Sequence, residues 1–83
     1  MIVGAQMRAA RAALNWSIEN LAEKSGVSAR TIMRLEAVDG IPPGRTQTLF
    51  DIKTALEAGG IAFTGTATDR PGIQLLRASK GDK

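Results

Sequence analysis

The feature that most constrains this chain is the run SIENLAEKSGVSARTIMRLE, residues 17–36. Ser17 and Ser28 each precede a stretch with helical apolar spacing, where a hydroxyl can accept from a first-turn backbone N–H. Gly26 follows Ser25 and suits the left-handed position that ends a helix. Only Val27 then separates it from the next cap. Trp16 with Leu21, and Val27 with Ile32, repeat the spacing of a hydrophobic staple around each cap. A turn this short does not let two helices lie antiparallel. They must cross steeply, and the second is presented at the surface by its N-terminal end.

The flanking sequence supplies the rest of a small bundle. Met7, Ala10, Ala13 and Leu14 recur at helical spacing, which predicts a first helix opened by Gly4 and ended by Asn15. Ile18, Leu21 and Ala22 form the apolar stripe of the second helix. The third carries Ile32 and Leu35 inward and leaves Ala29, Arg30, Met33 and Arg34 outward. DGIPPGR, residues 39–45, is a turn-forming stretch. Leu49, Ile52 and Leu56 mark a fourth helix, capped by Thr46 or Thr48 and stopped at Gly59–Gly60. IAFTG and GIQLL then alternate as strands do, with Ile61 and Phe63 on one face and Ile73 and Leu75 on one face. The expected fold is mainly α, four helices with a C-terminal β-hairpin. Its organisation is a helical unit over 1–58, a hairpin over 59–77 and a flexible tail over 78–83.

Composition narrows the chemistry. The chain has 83 residues, with no cysteine and no histidine. Thiolate metal sites, disulfides and the commonest acid–base group are excluded, and no pair of carboxylates or phosphate-binding glycine loop replaces them. Neither an enzyme, a metal nor a cofactor is expected. No apolar run is long enough to span a bilayer, so a cytoplasmic protein with no membrane partner is expected. The net charge is +3, and residues 1–58 hold seven Lys and Arg against six Asp and Glu. A basic patch must therefore come from placement rather than excess.

Two helices joined by such a turn read DNA when the second enters the major groove. On an arbitrary helix, Arg30 and Arg34 are ordinary solvated surface, but here they stand one turn apart on the presented face. Arginine matches guanine O6 and N7 with two parallel hydrogen bonds. Met33 is either a gap-filler or a contact to a thymine methyl, and Ser17 either a cap alone or a cap that also touches phosphate. Arg8 reads as surface.

MRAARAALNWSIENLAEKSGVSARTIMRLEAVDG resembles the helix-turn-helix of the Xre family, which includes Cro and the lambda-type phage repressors. Ala22, Gly26, Val27, Ser28, Ile32, Leu35 and Glu36 fall at positions typical of that family. The continuation through GIAF and PGIQL is similar to small bacterial Xre-type regulators that append a β-hairpin. The resemblance implies a lambda-repressor-like DNA-binding domain over 1–58 acting on double-stranded DNA in transcription. It places the recognition positions on Ser28, Ala29, Arg30, Met33 and Arg34, within a recognition helix over 28–37. It implies an ion pair between Arg11 and Glu36, and a backbone contact from Arg45, the only basic residue available after the third helix. The position that opens the second helix, usually a glutamine touching phosphate, holds Ile18.

With so few phosphate contacts, one copy should bind weakly, and a homodimer on a two-fold site would compensate. The hairpin offers an interface through Ile61, Phe63, Ile73 and Leu75, unless it folds back over its own helices as a lid. The leading expectation is a sequence-specific regulator, acting as a repressor. The alternative is an antitoxin, or a partner of another protein or effector, that autoregulates through the same motif.

Overall fold

The computed structural model describes residues 2–42, 44–66 and 68–76. Four helices run in chain order, α1 Gly4–Ala13, α2 Ile18–Ser25, α3 Ala29–Glu36 and α4 Thr46–Ala58. Two strands follow, β1 Ile61–Thr64 and β2 Gly72–Leu75. The tail over 78–83, and residue 77 before it, lie outside the described residues.

The local signals set the boundaries of α2 and α3. Ser17 Oγ accepts from the Asn20 N–H at 3.0 Å, and Asn20 Oδ1 accepts from the Ser17 N–H at 2.9 Å, so two of the donors left open at a helix start are satisfied reciprocally. Gly26 closes α2 at φ 76°, a left-handed conformation in which a Cβ would be strained. Ser28 Oγ accepts from the Thr31 N–H at 3.2 Å and opens α3 two residues later. α1 ends where expected, with Asn15 in the left-handed region at φ 59°.

Two expectations about the helices are corrected. Ala13 is exposed; the inward stripe of α1 runs through Met7 and Ala10 to the half-buried Leu14, and a methyl group on the outer side costs little. The cap of α4 is Arg45, which makes no side-chain cap bond, and Thr46 is already the first helical residue. The helix starts one residue before the first hydroxyl can cap it.

The start of α1 is closed by backbone from a distant loop. Gly4 N–H donates to the Gly40 carbonyl at 3.0 Å, and Ala5 N–H to that of Asp39 at 3.3 Å. A Cβ on Gly4 would overlap the Val38 carbonyl oxygen, so this approach requires glycine. Gln6, only 5% exposed, accepts from the Val3 N–H at 2.9 Å through Oε1. Its Nε2 donates to the carbonyls of Thr64 at 3.3 Å and Gly72 at 2.8 Å. One buried amide thus satisfies a free donor of α1 and ties that helix to both strands.

The strands pair antiparallel, with Ile61 opposite Leu75 and Phe63 opposite Ile73. The hairpin packs against α1 and α4 and completes their core. Ile61 is 1% exposed and joins Met7, Leu21, Ile32, Leu35, Ile52 and Leu56 in one apolar cluster. Of the four hairpin residues assigned to a dimer interface, Ile61 is therefore spent inside its own chain. Phe63 and Ile73 are half-buried against the same cluster, and Leu75 is exposed.

Candidate nucleic-acid interface

α3 has two unlike sides. Ile32 and Leu35 are fully buried, and Glu36 beside them is 4% exposed. A carboxylate so placed needs a partner. Arg11 of α1 supplies one in fork geometry, Nε to Oε2 at 3.0 Å and Nη2 to Oε1 at 2.9 Å, while its Nη1 donates to the Trp16 carbonyl at 3.0 Å. The hydrogen bonds to Glu36 raise the Arg11 pKa above the ordinary arginine value against the opposing effect of burial, with help from the charges of Glu36 and Glu19.

Arg8 makes a second link that the sequence did not announce. One of its Nη atoms donates to the Glu36 carbonyl at the end of α3, and the other pairs with Asp39. Arg8 is therefore not idle surface, since it satisfies a carbonyl left open by the helix end and holds the following loop. Nothing in the local pattern pairs Arg8 with a residue 31 positions away. α1 thus grips α3 from one side by two arginines and fixes its pose on the bundle.

The other side carries the candidate contacts. Arg30 and Arg34 are exposed, and Met33 between them is 53% exposed, so it fills no gap in the core. Ala29 is half-buried and offers little beyond a close approach of backbone. Arg45, exposed in the loop beyond α3, has its side chain uncommitted to capping. Ser17 accepts a hydrogen bond as a cap, which leaves its own proton free to donate. Ser28 is more committed, because its hydroxyl also donates to Thr31 Oγ1 at 2.9 Å. The free hydroxyl proton at the start of α3 then belongs to Thr31, a residue without any signal in the sequence pattern.

The described cations are unevenly partnered. Among the described residues Arg8 is held by Asp39 and Arg11 by Glu36. Lys53 pairs with Glu57 at 2.8 Å and Arg70 with Asp69 at 3.2 Å. Lys24 stands over the Trp16 ring, 5.1 Å from its centroid. Arg30, Arg34 and Arg45 make no ion pair or ring contact among the described residues, and they belong to α3 and the loop that follows it. In a chain with so little excess charge, the described cations without an internal partner are gathered beside the presented helix.

Residues 7–46 match a family model described as Helix-turn-helix. This segment belongs to the Xre, lambda-repressor-like helix-turn-helix family. No curated protein shows significant similarity to the chain. The matched segment runs from Met7 through both arginine grips and the whole of α2 and α3 to the first residue of α4. The helix-turn-helix domain makes the chain a DNA-binding regulator. No described helix is long and apolar enough to cross a membrane.

Proposed function

We propose that this helix-turn-helix protein is a sequence-specific transcriptional regulator that inserts residues 28–37 into the major groove and represses by occupying its site. The observation that carries this reading is the segregation of cations, with Arg30, Arg34 and Arg45 unpaired among the described residues while the other described basic side chains have internal partners. Arg30 and Arg34 suit guanine edges, and Arg45 and the Ser17 hydroxyl suit backbone phosphates on either side. The test is selection of bound duplexes from a random pool at stated salt. Enrichment of a defined sequence supports the reading, and retention of all sequences alike refutes it.

A single module of this size buries roughly 600–1,000 Å² of protein surface on DNA, so the proposed acting species is a homodimer on a two-fold site. With Ile61 inside, the hairpin surface left for a second copy is Leu75, 42% exposed, Leu76, 47% exposed, and the outer parts of Phe63 and Ile73. The same exposed leucines favour the second reading, in which this end holds a toxin and the helix-turn-helix autoregulates the pair. Mass in solution separates the two. A dimer of the chain alone supports self-association, and a monomer at tens of micromolar would exclude it.

A further inference from the structure

The outward face of α3 is specific enough to constrain the sequence it reads, and the inference here rests on the DNA-binding role proposed above. Arg30 and Arg34 are four residues apart, about 6 Å along the axis at ~1.5 Å per residue. Successive base pairs are ~3.4 Å apart. With α3 lying along the groove, the two guanidinium groups therefore meet base pairs nearly two steps apart.

Met33 lies between them in height. It sits on the flank of the face away from Arg34, since residues advance by ~100° around a helix. Its side chain is 53% exposed because Ile32 and Leu35 already fill the inward positions. An apolar, flexible side chain aimed at the groove floor has one apolar group to meet there, the C5-methyl of thymine. The remaining residues of this face support the same composition by what they lack. Arg30, Met33, Arg34 and the exposed Ala37 include no amide to match adenine and no carboxylate to accept from cytosine.

We infer that the half-site read by α3 holds two guanines separated by one base pair, and that this intervening pair carries a thymine whose methyl group packs on Met33. The experiment uses the full chain and the duplex selected from the random pool. Three changes are made to that duplex at fixed salt, either guanine to adenine or the thymine to uracil, which removes the methyl group alone. Each guanine change should weaken binding roughly tenfold or more. Uracil should weaken it about three- to fivefold, as expected for one methyl returned to water. Met33→Ala, at an exposed position where folding is undisturbed, should bind the thymine and uracil duplexes equally. An enriched sequence without guanines at this spacing overturns the inference, and so does a wild-type protein indifferent to uracil, while the regulator reading survives both results. A pool that yields no enriched sequence removes the regulator reading itself.

Discussion

The two sides of α3 treat charge in opposite ways. On the inner side, one buried carboxylate receives both hydrogen bonds of an arginine fork, and a second arginine takes the carbonyl of the same residue. On the outer side, two arginines stand one turn apart with no anion among the described residues to separate them. Like charges at this spacing destabilise a helix by a few tenths of a kcal/mol. The inner pairing is what a folded chain requires before it can bury a charge. The outer pair has no partner among the described residues, and on the proposed reading its repulsion is relieved by the phosphates and base edges of DNA. In the proposed function, stability and binding thus fall to different faces of an eight-residue helix. The two faces should be separable by mutation.

The largest effect is expected inside. Arg11→Met strands Glu36 at 4% exposure and should cost about 3 kcal/mol in denaturant unfolding. Adding Glu36→Leu should recover much of that loss, because the uncompensated charge is gone. A double variant no more stable than the single one would show that the fork is not what holds the two helices. The contribution of Arg11 should also be insensitive to pH across the neutral range. Arg11 binds its proton more tightly in the folded state than in the unfolded state. Its contribution is therefore complete below the unfolded pKa and is lost only as pH rises through the raised folded value.

Outside, the sign should reverse. Arg30→Glu places an acid in the first turn of α3 and pairs it with Arg34 in the favourable orientation. It should raise stability by about 0.5–1 kcal/mol while abolishing DNA binding. A variant that is both less stable and still bound to DNA would collapse the distinction between the faces. The smallest effect belongs to Arg45. Arg45→Ala should leave stability unchanged, weaken all sequences alike and flatten the dependence of log affinity on log salt by about one unit.

The same division explains what was legible in the sequence. Caps, the left-handed Gly26 and the outward arginines are set by neighbours within a turn or two, so spacing located α2 and α3 and put Arg30 and Arg34 outward, while the other recognition positions and Arg45 were implied by the family resemblance. Arg8 was not readable as more than surface, because its partners lie 28 and 31 positions away on the end of another helix. Gln6 was missed for the same reason, since its amide bridges to carbonyls 58 and 66 residues distant. The hairpin shows the limit from the other direction. Alternation correctly put Ile61 and Phe63 on one face, but it carries no information on which body covers that face, and the chain's own helices do. The cap of α4, expected at Thr46 or Thr48, falls on Arg45, because hydroxyl preference at a cap marks where a cap is favourable and not where the helix must begin.

The central claim is that the exposed side of α3 reads bases rather than merely attracting DNA. The most direct measurement is the affinity of wild type and Arg30→Ala, at one salt concentration, for the selected site and for the same site with one guanine replaced. The wild-type protein should lose roughly 1–3 kcal/mol on replacement of the guanine that Arg30 contacts, and Arg30→Ala should bind both duplexes alike. If Arg30→Ala weakens both duplexes equally and preserves the wild-type preference, Arg30 contributes only charge, and the reading of bases lies elsewhere.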